Sequence, residues 1–195
     1  MNRVLSFIIL YVFFFAFVTQ IKAQERQLFD GGMMIHTGYL HSNIDAIDYT
    51  AKGMTFGIGG TLRFHIGKHF RIGGEGYFST LQQLSNGSYS RTNWGGILAD
   101  IYWRLGRWQP YIGFTTGGGT TSMLLMFNGS TKDWHPEKEV LLHNEKFFLI
   151  NPMAGVEFAL NNAIHLTFKT DWLIPLPYAN TPTGMRFYIG FIFAH

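Results

Sequence analysis

The sequence predicts an all-β fold, an eight-stranded antiparallel up-and-down transmembrane β-barrel, and three observations lead there. Only 14% of the 195 residues are charged while 47% are hydrophobic, against about 25% charged in an ordinary soluble domain. Apolar and polar residues alternate with a two-residue period in a series of segments, most of ten residues or more, as strands with two chemically different faces do. The clearest apolar faces carry no charge, whereas the opposite faces carry both signs in near balance.

The chain opens with a targeting segment. Residues 1–23 begin with a short basic region containing Arg3, run through an apolar stretch at 4–18 and turn polar at Thr19 and Gln20. The stretch falls short of the ~20 residues that span a bilayer as a helix, so it reads as a secretory signal peptide cut after Ala23, with a bulky Ile21 two residues before Ala23. Residues 24–195 are then the barrel domain. There is no cysteine, which excludes disulfides, thiolate metal ligands and lipoprotein attachment. Cleavage takes Arg3 and Lys22 from the 15 basic residues, leaving 13 against 12 acidic ones. The pI of about 9.2 thus overstates the basicity of the mature chain, and no nucleic-acid partner is expected.

In chain order, the first segment covers residues 33–40. The second, 54–66, sets Met54, Phe56, Ile58, Leu62, Phe64 and Ile66 against Thr55, Thr61, Arg63 and His65. The third, 69–80, carries Arg71 and Glu75. In the fourth, 93–105, Ile97, Ala99, Ile101, Trp103 and Leu105 oppose Asp100, Tyr102 and Arg104. The fifth, 111–126, has a Thr115-Thr116-Gly117-Gly118-Gly119-Thr120-Thr121 centre, compatible with a kinked strand or a bulge. The sixth, 147–160, sets Ala154, Val156, Phe158 and Leu160 against Asn151, Met153 and Glu157. The seventh, 163–174, is the most regular: Ile164, Leu166, Phe168, Trp172 and Ile174 face away from His165, Thr167, Lys169 and Asp171. In the eighth, 184–193, Phe187, Ile189, Phe191 and Phe193 oppose Arg186 and Tyr188.

Connections alternate in length. Tight turns are expected at Gly67-Lys68, Gly106-Arg107-Trp108 and Asn161-Asn162, and longer breaks at 41–53, 81–92, 127–146 and 175–183. All tight turns then lie at one end, with both mature termini.

Alternation alone leaves open which face points inward, because a soluble lipocalin-like barrel and a membrane barrel place the apolar face oppositely. The polar faces favour the membrane. They set Arg63, Arg71, Arg104, Lys169 and Arg186 against Glu75, Asp100, Glu157 and Asp171, among glycine, threonine and tyrosine. That composition suits a packed, ion-paired lumen, since unpaired buried charge is costly. Phe70, Trp103, Trp108, Tyr111, Trp172 and Phe193 lie near segment ends, where aromatic girdles form.

With these features the mature chain resembles the small eight-stranded outer-membrane barrels of Gram-negative bacteria, the group of outer-membrane protein X and the membrane domain of outer-membrane protein A. The resemblance rests on architecture rather than on a diagnostic motif. It implies an outer-membrane location, contact with outer-membrane lipid and lipopolysaccharide, and recognition by the barrel-assembly machinery. The last segment, with Phe187, Ile189, Phe191 and Phe193, looks like the assembly signal of that group, departing from it in that Ala194 and His195 follow the final aromatic.

Chemical motifs are sparse. Gly57-Ile58-Gly59-Gly60 and Gly73-Gly74-Glu75-Gly76 complete no phosphate-binding pattern, and the eight histidines show no metal-ligand spacing. No cofactor, metal or catalytic residue is assigned. The break at 127–146 is the most distinctive exposed segment, and Trp134, His135, Leu141 and Leu142 are its candidate contacts for a protein partner or lipopolysaccharide. The leading reading is a non-enzymatic barrel serving envelope structure or surface-loop interaction. The alternatives are a lipid A-modifying barrel enzyme, for which His41-Ser42 with Asp45 is the nearest constellation, a subunit of an envelope or secretion assembly, and the soluble lipocalin-like barrel.

Overall fold

Alternation becomes register once the strands pair. The computed structural model describes residues 28–44, 49–82, 89–126, 140–176 and 181–194. They form β1 (Phe29–Ile44), β2 (Tyr49–Ile66), β3 (Phe70–Gln82), β4 (Tyr89–Tyr102), β5 (Trp108–Met126), β6 (Val140–Ala159), β7 (Ile164–Leu176) and β8 (Thr183–Ala194). Each strand pairs antiparallel with its neighbour in sequence, and β8 returns to β1, closing the barrel. The proposed signal peptide lies outside the described residues, as do Asp45, Trp134 and His135.

The stagger of the ladder sets the size of the tube. Directly opposed residues lead from Met153 through Asp171, Arg186, Gly38, Thr55, Leu81, Ser90 and Met123 back to β6 at His143, ten residues from the start. With about 3.3 Å per residue and 4.8 Å between strands, that shear tilts the strands by about 40° and gives a backbone radius of about 8 Å. Such a lumen has room for side chains and little else. Each residue advances about 2.5 Å along the barrel axis. Phe29 and Tyr39, both exposed on β1, are thus separated by about 25 Å, the height of an outer-membrane apolar band.

The faces sort as the membrane reading requires. On β8, Arg186 is 0% exposed and its neighbour Phe187 is 53% exposed. The same inversion holds on β2, where Phe56, Ile58, Leu62 and Phe64 are exposed while Thr55, Thr61 and Arg63 are buried. A lipocalin-like barrel needs its apolar face inside, so that alternative fails. At the tight-turn end the outer wall carries Phe29, Phe64, Phe70, Trp108 and Phe193, with Trp108 and Phe158 ring centroids 4.7 Å apart. Tyr111 does not join this girdle. It is buried in the lumen, because β5 starts at Trp108 and its odd-numbered residues from Gln109 point inward.

The three tight turns are built locally. Gly67 and Gly106 adopt positive φ values of 70° and 65°, which residues with a Cβ reach only at a cost. In the third, the Asn161 side-chain oxygen accepts hydrogen bonds from the backbone N–H groups of Ala163 and Ile164 at 2.8 and 2.7 Å. At the other end the strands run further than the alternation indicated. β1 and β2 pair out to Ile44 and Tyr49, and β6 begins at Val140, inside the expected 127–146 loop. Above the hydrocarbon both faces of a strand can be polar, so the ladder continues after its two-residue signal has faded. The glycine-rich centre of β5 is likewise continuous strand, paired on both sides.

Candidate functional site

The lumen holds the densest chemistry of the described residues. Its side chains stack in layers. Nearest the tight turns, Arg63 Nε donates to Asp30 at 2.6 Å and its Nη1 lies 2.8 Å from Glu157. Arg71 Nε donates to Asp100 at 2.7 Å, and its Nη1 reaches both oxygens of Glu157 at 3.0 and 3.2 Å. His65 bridges Asp30 at 2.7 Å and the Tyr102 hydroxyl at 3.0 Å, while His165 approaches Glu157 at 3.6 Å. The Arg71 guanidinium lies over the rings of Tyr102 and Tyr111 at 4.6 and 5.1 Å.

A second cluster sits above the first. Lys169 Nζ donates to Glu75 at 2.6 Å and lies over the rings of Tyr77 and Tyr188 at 4.8 and 4.5 Å. Thr115 donates to the other Glu75 oxygen. Arg186 holds Asp171 in a fork, Nε to Oδ1 at 2.8 Å and Nη2 to Oδ2 at 3.0 Å, with Trp94 beneath the guanidinium at 4.4 Å. Asn151 and Tyr188 each donate to Asp171 Oδ2 at 2.8 Å. Toward the far mouth the lumen changes character, with Leu40, Leu81, Met123, Leu149 and Leu173 buried among hydroxyl groups. The cavity between Leu40, Leu81, Met123 and Ser79 measures about 10 Å³, the order of one water.

A simple rule orders the ion pairs. Each hydrogen-bonded Arg–Asp pair joins residues directly opposed on adjacent strands, Arg63 with Asp30, Arg71 with Asp100 and Arg186 with Asp171, while longer contacts of 3.6 and 3.5 Å run from Arg63 to Asp100 and from Arg71 to Asp30. The longer glutamates tie walls together across the lumen, Glu157 of β6 to Arg63 of β2 and Arg71 of β3, and Glu75 of β3 to Lys169 of β7. Removing one partner of such a pair typically costs about 3–5 kcal/mol, because it strands the other charge. Inward glycines admit the large rings: a Cβ at Gly155 would collide with the Tyr111 ring, and one at Gly59 with that of Tyr77.

Of the residues singled out in the sequence, Arg63, Arg71, Asp100 and Glu157 lie in the first cluster, and Glu75, Lys169, Asp171 and Arg186 in the second. Arg104 reaches the first cluster only through Tyr102 rather than through a carboxylate. It follows the end of β4, half-buried, with Nη2 donating to the Tyr102 hydroxyl at 3.3 Å. The alternation missed Asp30, although Asp30, Gly32, Met34 and His36 continue the inward face of the first segment. It also gave no hint that His65 and His165 touch carboxylates. Leu141 and Leu142 belong to β6 rather than to a loop, and Leu142 is 64% exposed. Phe187, Ile189, Phe191 and Phe193 all face outward on β8. Among the described residues no group of three or more His, Asp or Glu could hold a metal ion.

The barrel superposes on solved structures of the same size. The attachment invasion locus protein Ail of Yersinia pestis, crystallised with sucrose octasulfate, matches with a TM-score of 0.53 at 9% identity, over 86% of this chain and 99% of that one. Neisserial surface protein A matches with a TM-score of 0.55 at 11% identity, over 85% of this chain and 97% of that one. The fold is that of the small eight-stranded outer-membrane barrels. At these identities the likeness is one of fold alone, and neither a family model nor a curated protein matches the sequence.

Proposed function

We propose that this chain is a non-enzymatic protein of the outer membrane of a Gram-negative bacterium, exported through a cleaved signal peptide at residues 1–23. Its barrel domain, residues 24–195, anchors a closed, ion-paired cylinder in the membrane and serves envelope structure or presents loops at the surface. One observation carries the reading: two stacked charge clusters fill the interior behind a wall whose outward strand faces are apolar through the membrane zone. Such an interior stiffens the cylinder and opposes ion flow. The carboxylates engage neighbouring cations, which suits a structural role better than proton transfer.

The outward apolar residues of β8, Phe187, Ile189, Phe191 and Phe193, support recognition by the barrel-assembly machinery. The apolar wall supports contact with outer-membrane lipid and lipopolysaccharide. The connection containing Trp134 and His135 is the proposed contact for a protein partner, a reading in keeping with the attachment role in the name of Ail. The test has two parts. The protein should fractionate with the outer membrane and migrate differently when unheated, and in planar bilayers it should give no large, stable channels. Reproducible large conductance would overturn the closed-lumen reading.

A further inference from the structure

The outer wall carries a second feature, on β4, β5 and β6 just beyond the apolar band. Two rows of directly opposed residues face outward there, Arg91 with Ser122 and Asn144, and Asn93 with Thr120 and Lys146. All are exposed except Ser122, which is half-buried. The patch contains two cations and four neutral hydrogen-bonding groups, and no carboxylate. From strand spacing and rise, the Arg91 and Lys146 Cα atoms are about 12 Å apart, within reach of one anionic headgroup for two such long side chains. Arg91 is braced by the Tyr89 ring, 5.0 Å away.

Directly below, the wall loses its side chains. Gly118, Gly95, Gly76 and Gly60 are opposed in turn across β5, β4, β3 and β2, forming a row about 14 Å long at ordinary strand spacing. It descends from the polar patch toward the middle of the apolar band. A shallow, open furrow lies along its lower part, lined by Gly60, Gly74, Gly76 and Leu62 among others. The barrel's own packing does not demand glycine throughout this row. A Cβ at Gly76 or Gly118 would have its nearest contact at an ordinary 3.6 or 3.4 Å, whereas one at Gly60 or Gly95 would meet a backbone oxygen at 2.6 or 3.0 Å. A polar, cationic upper end joined to an apolar groove is complementary to one kind of molecule.

We propose that this face binds a phosphate-bearing membrane lipid, its phosphate held by Arg91 and Lys146 and one acyl chain lying in the glycine furrow. Guanidinium and ammonium groups supply charge-assisted hydrogen bonds to phosphate oxygens, and Asn93, Thr120 and Asn144 bind the remaining polar headgroup atoms. The proposal rests on the membrane reading above and names the lipid partner of that wall. The His41–Lys52 pair on β1 and β2, also opposed and outward at similar height, provides an internal control, since Tyr39 and Met54 rather than glycine lie below it.

The test is native mass spectrometry of the full chain folded in detergent, with dimyristoyl phosphatidylglycerol as probe and dimyristoyl glycerol and glycerol 3-phosphate as its two halves. One phosphatidylglycerol should bind per barrel, more tightly than either half. Arg91→Gln with Lys146→Gln should weaken it about tenfold, Gly76→Leu with Gly118→Leu should weaken it as well, and Lys52→Gln should leave it unchanged. Heat-modifiable migration verifies that each variant is folded. Equal loss in Lys52→Gln, retention in both double variants, or glycerol 3-phosphate binding as tightly as the lipid would each overturn the proposal. Failure of the unaltered chain to insert into vesicles would instead overturn the membrane reading beneath it.

Discussion

Lys169 and Glu75 stand on β7 and β3, opposite walls of the barrel, and meet at 2.6 Å in its centre. Residues 94 positions apart in sequence thus form a strut across the tube, flanked by the rings of Tyr77 and Tyr188. The strut predicts a sharp asymmetry between single and double substitutions. Glu75→Gln or Lys169→Met alone should destabilise the barrel by about 3–5 kcal/mol, while Glu75→Met with Lys169→Met should recover most of that loss, because an apolar pair needs no compensation for desolvated charge. Urea unfolding in detergent, read as a double-mutant cycle, measures the coupling. Additive single effects would mean that the two groups do not act as a pair.

Glu157 accepts from two arginines, Arg63 and Arg71, whereas Asp171 is held by one arginine and two neutral donors, with Lys169 no nearer than 4.0 Å. Glu157→Gln should therefore cost more than Asp171→Asn, with both within a few kcal/mol. Comparison of unfolding midpoints at equal slope decides the order.

The outward wall makes a solvent-specific prediction. Ile97 is 62% exposed near the middle of the apolar band. Ile97→Arg should cost about 2–4 kcal/mol in lipid vesicles, and Met54→Arg, near the interface, should cost about 0–1 kcal/mol. Folding equilibria into vesicles measure both. A wall facing water would be indifferent to the first change.

Two glycines on opposite faces should differ although both lie in strands. At Gly155 a Cβ would strike the Tyr111 ring, whereas at Gly118 its nearest neighbour is a backbone oxygen at 3.4 Å. Gly155→Ala should cost about 1–3 kcal/mol by overpacking, and Gly118→Ala should lie within about 0.5 kcal/mol of the unaltered barrel. Unfolding midpoints of the two variants separate the cases.

Much of this was legible in the alternation. Where one face meets lipid and the other a narrow lumen, the two-residue period is strong, so Ile164 to Ile174 and Phe187 to Phe193 announced both strand and face. It faded where β1 and β2 rise as a hairpin beyond the membrane, because His41, Lys52, Asn43 and Thr50 are polar whichever way they point. Tyr111 misled for a related reason: tyrosine suits both an interfacial girdle and a hydrogen-bonded lumen.

By itself the sequence determined the number of strands, their order of turning and which residues of the regular segments share a face, since these follow from local periodicity and turn chemistry. The tertiary structure decided who meets whom. The ten-residue stagger places Asp30 beside Arg63 and carries Glu157 across to Arg71, and no period of two encodes that offset. The same stagger gathers glycines from four strands into one furrow below Arg91 and Lys146, a juxtaposition that exists only once the sheet has closed.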